Sequence, residues 1–308
     1  MNSDLAISAA KSVGEILIMV VLGYGGYKLG FLNEESEAVL TNTMTKIFSP
    51  MMLLASYFTK YDPARARGFL FSLGLGLIMH LLAALIALIA IRSRDNPDFQ
   101  VERLSVIYGN VGFMGLPLVY AIFGPEAVIY QSGIILVFNI LIWSHGVMVM
   151  SGRMDAKGIR KALLSPNIIC IILGIIVYIM RLDVPQIIAS PVTIIGNCTT
   201  PVAMIVAGSL IARSNMVEIL KNKRVYLVCA LSLIVLPLAL IPVLRLANAP
   251  EMVSLTTFTA AACPAAVLVS VFAIEHGRNA SYASGIFAVS TLLSMATIPA
   301  MIYLYTII

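Results

Sequence analysis

The sequence predicts an all-α polytopic membrane protein whose ten transmembrane helices form two inverted five-helix repeats. Three observations predict it: an extreme composition, apolar runs that recur along the whole chain, and a likeness between the two halves. Of 308 residues, 60% are hydrophobic and 11% are charged, whereas soluble domains carry ~25% charged residues. A water-soluble fold has nowhere to put that much apolar surface. Runs of about 20 apolar residues recur, each long enough to cross a hydrocarbon core of ~30 Å as a helix. The lipid bilayer is therefore the solvent of this chain.

Cutting at polar and charged breaks places the spans at 6–30, 36–58, 67–91, 100–123, 126–150, 161–181, 186–212, 224–246, 252–275 and 280–306. Span 1 carries Asp4, Lys11 and Glu15 and lacks a basic leader with a cleavage site. It reads as a retained span rather than a signal peptide. The longest connections lie near 151–160 and 213–223, which leaves no room for a soluble catalytic or nucleotide-binding domain. Residues 1–150 and 151–308 are thus the two repeats of one integral membrane unit. Cys170, Cys198, Cys229 and Cys263 fall in apolar segments without metal-ligand spacing. They read as small buried residues, and neither a metal nor a cofactor is expected.

The net charge of +5 comes from Lys and Arg clusters between spans, a pattern of topology signals rather than of a nucleic-acid partner. With the N-terminus outside, thirteen basic residues face the cytoplasm: Lys28, Arg92, Arg94, Arg103, Arg153, Lys157, Arg160, Lys161, Arg213, Lys221, Lys223, Arg224 and Arg278. Five face outward: Lys60, Arg65, Arg67, Arg181 and Arg245. Positive loops stay on the cytoplasmic side, so a multi-pass cell-membrane protein with both termini outside is expected.

The repeat shows in two places. Ala121–Val137 aligned with Ala273–Val289 at an offset of 152 matches seven of seventeen positions without a gap. Pro50 in KIFSPMMLLAS meets Pro201 in NCTTPVAMIVAGS at nearly the same offset. Span 2 then pairs with span 7, and span 5 with span 10. Because each half holds an odd number of spans, the second enters the membrane inverted, a plan common among secondary transporters.

Span 4 contains Tyr108, Gly109, Asn110, Val111, Gly112, Phe113, Met114, Gly115, Leu116 and Pro117. Glycine weakens a helix by ~1 kcal/mol, and proline removes a donor and clashes with the preceding turn, so a break is expected there. At the repeat offset Gly112 falls against Pro264, within the run from Thr259 through Cys263 and Ala265 to Ala266 in span 9. Both repeats are thus expected to break their fourth helix. Lipid cannot satisfy the freed backbone groups, so the breaks must face protein or water. Two crossing breaks turn half-helix N-termini to one point and suit a carboxylate or another small anion. Packing kinks are the plainer alternative.

The candidate binding residues are therefore Asn110, Gly112, Gly115, Pro117, Cys263, Pro264 and Ala265. Asn110 can donate to a substrate or cap the following half-helix. Lys46, four residues before Pro50, is a candidate counter-charge or coupling group, or else a snorkelling residue. His80 and His145 titrate near neutral pH or serve packing. Asn42, Asn139, Asn197, Thr199 and Thr200 are candidate cavity-lining residues, or helix-to-helix hydrogen bonders. The sequence has no G-x-x-x-x-G-K-[ST] loop, no H-E-x-x-H and no intramembrane Asp pair, so an enzyme or ATP-driven pump has no support.

GNVGFMGLPLVYAIFG at Gly109–Gly124 resembles the fourth-helix signature of the auxin efflux carrier family. TTPVAMIVAGSLIA in span 7, and AACPAAVLVSVFAIEHGRNASYASGIFAVSTLLSMATIP from span 9 into span 10, extend the resemblance over essentially the whole plan. The resemblance implies a 5+5 inverted-repeat fold with crossing broken helices 4 and 9, similar to bile acid/sodium symporters. It implies a secondary active, elevator-type carrier of small organic anions such as auxin-like monocarboxylates, malate or malonate, acting as a homodimer. Its site at the crossover corresponds to Asn110, Pro117 and Pro264. Proton or sodium coupling stays open. The chain resembles the compact prokaryotic form, since spans 5 and 6 lack a long connecting loop, and Val267 and Leu268 replace the polar residue frequent after Pro-Ala-Ala in bacterial relatives. A carrier of a cation or neutral solute, a channel, and a non-transporting receptor are the alternatives.

Overall fold

The computed structural model describes residues 2–92, 96–152, 160, 163–214 and 216–308, with side chains from residue 11 onward. Arg94, Arg153, Lys157 and Lys161, used above for orientation, lie outside the described residues. The described chain is helical throughout, with one isolated antiparallel bridge between Gly109 and Ala265.

The helices follow the expected spans. They begin with α1 (Asn2–Lys28), α2 (34–55) and α3 (Pro63–Ala90), followed by α4a (Phe99–Ile107), α4b (Val111–Phe123) and α5 (Pro125–Ser151). The second half holds α6 (Pro166–Ile179), α7 (Gln186–Arg213), α8 (Lys223–Leu246), α9a (Glu251–Ala261), α9b (Val267–Glu275) and α10 (Ala280–Ile307). Among the described residues, α3, α5, α7, α8 and α10 are each long and apolar enough to cross a membrane. The shorter α4b and α6 are apolar too. This is a polytopic α-helical membrane protein.

Polar caps set several starts. The side chains of Asn33, Asp62, Ser165, Asn222 and Asn279 each accept a first-turn N–H, ahead of α2, α3, α6, α8 and α10. Such caps satisfy donors that have no partner within the helix.

Prolines set most of the internal irregularities. The π turns Met44–Phe48, Val111–Gly115 and Leu231–Val235 precede Pro50, Pro117 and Pro237. A proline clashes with the carbonyl four residues back, here that of Lys46, Phe113 and Leu233, the central residue of each π turn. Widening the turn relieves the clash without ending the helix. Pro201 acts more strongly, since α7 is interrupted at Cys198, between Gln186–Asn197 and Thr199–Arg213. The π turn Ile142–Gly146 in α5 has no proline behind it, and we have no physical account of it.

Two groups of helices emerge from the packing. In one, α1 lies along α7, and α6 and α7 cover Ser49–Ala55 of α2. Glycines set these spacings: a Cβ on Gly23 would overlap the Ile205 carbonyl, and one on Gly208 the Val20 carbonyl. Small residues of this kind let membrane helices approach to backbone contact. In the other group α3 packs on α5, α9a on both, α9b on α10, and α8 on α4a, α9a and α10. The groups meet chiefly where α1 runs against α10 and where α1 and α7 face α4b.

The second group is stitched by ionic contacts. Glu102 on α4a is fully buried. It accepts Arg224 Nε and Nη2 at 2.6 Å each, Asn96 Nδ2 at 2.7 Å and Tyr282 Oη at 2.9 Å. A buried charge is tolerable only when paired and hydrogen-bonded like this. One carboxylate thereby ties α4a, α8 and α10 together.

Candidate functional site

The two expected interruptions are present, and they meet. α4a ends at Ile107 and α4b begins at Val111, while α9a ends at Ala261 and α9b begins at Val267. The break in α4 thus takes in the first residues of the glycine run, Tyr108, Gly109 and Asn110, and the rest of the run re-enters as the π turn Val111–Gly115. The extended residues pair antiparallel: Asn110 N–H donates to Pro264 O at 2.7 Å, and Ala266 N–H donates to Tyr108 O at 2.9 Å. Each break thereby satisfies backbone groups of the other, as a lipid-embedded break requires. Ala265 N–H is taken by Ser290 Oγ of α10 at 3.1 Å. The Val111 carbonyl accepts Gln131 Nε2 of α5 at 2.7 Å.

The close pairing needs small residues. A Cβ on Gly109 would stand 3.4 Å from Cys263 O, and one on Gly115 would stand 3.0 Å from Cys263 Sγ and 3.1 Å from Gln131 Nε2. Gly112 differs, because a Cβ there would meet nothing within 4 Å. Cys263 Sγ donates to Thr259 O at 3.4 Å, and Pro117 is buried in the first turn after the π turn.

Several polar atoms on the elements that form or back the breaks are buried without a protein partner: Asn110 Nδ2, Gln131 Oε1 and the hydroxyls of Thr259 and Thr291. The hydroxyls of Thr199 and Thr200, on the part of α7 that faces α4b, are unpartnered too. A buried polar group left unpaired costs ~1–3 kcal/mol, and helical threonines ordinarily bond back to their own helix. Thr256 and Thr257, one turn before the break, do so. An unsatisfied donor and several unsatisfied oxygens near two open helix starts are the makings of a polar ligand site.

Two cavities lie where the helix groups face each other. The larger, about 470 Å³, is bounded by Glu37, Thr41 and Asn42 of α2, Arg213 of α7, Val267 and Ser270 of α9b, and Ser281 and Ser284 of α10. It runs from the Arg213 end of the bundle to the first residue of α9b. Glu37 is buried there and accepts Ser209 Oγ at 2.9 Å, with Arg213 at 3.5 Å. The smaller, about 130 Å³, lies toward the other end, among Met52, Ser56, Tyr120, Val128 and Asn197.

The remaining candidates are dispersed. Asn42 lines the large cavity and Asn197 the small one. Lys46 is exposed on the π turn of α2, four residues beyond Asn42. His80 is buried behind the break, with Nδ1 2.7 Å from Gly76 O. His145 Nδ1 lies 2.9 Å from Tyr108 Oη, itself bonded to Leu141 O. The histidines therefore back the bend rather than line a cavity. Asn139 spends its amide on Ile135 O of its own helix at 2.8 Å.

Three residues at the site escaped the sequence reading: Gln131, Ser290 and Glu37. Gln131 had a usable signal, since it sits inside the matched repeat opposite Ala283. A polar residue in one copy where the other keeps alanine is a departure the shared fold does not require. Glu37 was masked by its place in the acidic stretch Glu34, Glu35 and Glu37, which reads as a solvated helix start.

The profile of a family described as membrane transport proteins matches residues 8–302. A protein of Methanothermobacter thermautotrophicus (strain Delta H), described as an uncharacterized transporter, is 26% identical over 304 residues, covering 95% of this chain and 97% of that protein. Composition, helical architecture and the signature around Asn110 agree with these matches: the chain belongs to the membrane transport protein family of auxin efflux carriers, and it is a multi-pass membrane transporter.

Proposed function

We propose that the protein is a secondary carrier of small organic anions, monocarboxylates or dicarboxylates, bound where the two broken helices meet. The observation that carries this reading is the unpartnered amide donor of Asn110 beside the open start of α4b, bridged directly to the start of α9b. A helix N-terminus carries roughly half a positive charge and free N–H groups. Two such termini and a buried amide can hold a carboxylate without a basic side chain.

In this reading residues 1–150 and 151–308 are inverted repeats. The Arg213 end is cytoplasmic, as the distribution of basic residues favours, and the 470 Å³ cavity is the inward access path. The group of α3, α4, α5, α8, α9 and α10, braced by Glu102, moves against α1, α2, α6 and α7 in an elevator motion, within a homodimer. Lys46 and the histidines remain candidate coupling groups, for a proton or for sodium.

A neutral or cationic solute is the second reading. It draws support from Gln131 Oε1 and the free threonine oxygens, which would accept hydrogen bonds from a donor-bearing ligand.

Purified protein tested by thermal shift against malate, malonate and indole-3-acetate separates the two readings. We expect stabilisation by at least one anion, lost in Asn110→Ala. Stabilisation by amines or neutral solutes alone would replace the anion reading with the second one.

A further inference from the structure

The smaller cavity is bridged by a hydrogen bond. Tyr120 Oη, near the end of α4b, donates to Asn197 Oδ1 of α7 at 3.1 Å, and both residues line that cavity. The next residue of α4b is held as well: Ala121 O accepts Ser12 Oγ of α1 at 3.1 Å. Consecutive residues of α4b are thus tied to two helices of the opposite group. At the Arg213 end the pattern differs. There Ser209 and Arg213 of α7 bond to Glu37 of α2, within one helix group, and the large cavity lies open beside them.

We infer that the Tyr120–Asn197 and Ser12–Ala121 hydrogen bonds form a latch that closes the Tyr120 end of the transport path, and that its release opens the site to that side. The inference rests on the alternating-access reading above. Its position suits the task, because α4b carries the binding break at its other end, so motion of the latch and of the site are motions of one helix. Asn197 is the last residue before the interruption of α7 at Cys198, a place where that helix has freedom to bend. The strength suits it too. Neutral hydrogen bonds contribute little net free energy each, so two bias a two-state equilibrium without locking it. Loss of one should raise the minor, outward-open population about threefold to tenfold.

Thiol accessibility tests this. Ser56 is buried on the smaller cavity and Ser270 on the larger. Ser56→Cys and Ser270→Cys are made in a Cys198→Ala background, where the other cysteines are buried. A membrane-impermeant maleimide is applied from each side, with and without a carboxylate panel. Tyr120→Phe and Ser12→Ala should each speed labelling of the Ser56→Cys thiol about threefold to tenfold from the outer side. They should leave labelling of the Ser270→Cys thiol from the inner side equal or slower. Unchanged Ser56→Cys labelling in both variants, with saturable carboxylate flux intact, overturns the latch and leaves the carrier reading standing. Labelling that ignores every carboxylate, in a chain that moves none of them, overturns the anion reading, and the Ser56→Cys labelling alone then decides the latch.

Discussion

The breaks in α4 and α9 share one backbone device and carry different chemistry. Each interrupts a helix at its middle, pairs with the other through main-chain hydrogen bonds, and restarts with only part of its first-turn donors taken, by Val111 N–H to Gly109 O in α4b and by Val269 N–H to Ala266 O in α9b. Around the α4 break stand two buried amides, Asn110 and Gln131, each with an atom left unpartnered. The α9 break is made of Ala262, Cys263, Pro264, Ala265 and Ala266, and its side-chain bonds, from Ala265 N–H to Ser290 Oγ and from Cys263 Sγ to Thr259 O, are internal. On the proposed reading the two arms divide the work: α9 mainly supplies backbone geometry, and the amides of α4 and α5 supply the side chains that tell one ligand from another.

Removing the amide tests this division most severely. Asn110→Ala should weaken anion binding about tenfold to a hundredfold, the loss of one hydrogen bond to a charged group. It should cost the fold little, because Asn110 Nδ2 has no protein partner to abandon. Ala262→Ser, at the offset-matched position on α9, should change affinity less than about twofold, since that arm is read through its backbone. Titration of both variants by calorimetry checks the pair. Equal losses on the two arms would end the claim that they differ.

Next in size come the two bonds that hold the breaks from outside. Gln131→Leu leaves the Val111 carbonyl buried without its donor, and Ser290→Ala does the same to the Ala265 N–H. Each should cost about 1–3 kcal/mol of stability, read as a lower melting temperature in detergent. Only Gln131→Leu should also shift ligand preference, because Gln131 Oε1 is left over for a ligand and Ser290 is spent on the backbone.

These asymmetries explain how far the sequence could be read. Apolar length and proline position are local properties, so the spans, the two breaks and the irregular turns before Pro50 and Pro117 follow from neighbouring residues alone. Asn110 was legible because amides are costly in apolar spans. Gln131, Ser290 and Glu37 were not, since each matters through a partner twenty or more residues away or through a cavity that several helices enclose. Conversely, Asn139 stands out in the sequence as a polar residue, and the fold spends its amide on its own helix. Polarity within a span marks a residue that must be satisfied; which group satisfies it is decided by packing.

The glycines give the finest test. Gly115→Ala should destabilise by about 1–3 kcal/mol, the usual cost of overpacking, because its Cβ would press on Cys263 Sγ and Gln131 Nε2. Gly112, three residues earlier, has open space where its Cβ would go. Gly112→Ala should therefore leave melting unchanged or raise it slightly, since alanine favours a helix by up to ~1 kcal/mol over glycine. If the open space beside Gly112 is where substrate sits, the same methyl group should lower affinity for the larger anions while sparing the smallest. Affinities for a graded series of carboxylates, set beside the melting temperature, read both effects from one variant. A uniform affinity across the series would move the ligand away from Gly112 and toward the α9b side of the bridge, where Val267 borders the larger cavity.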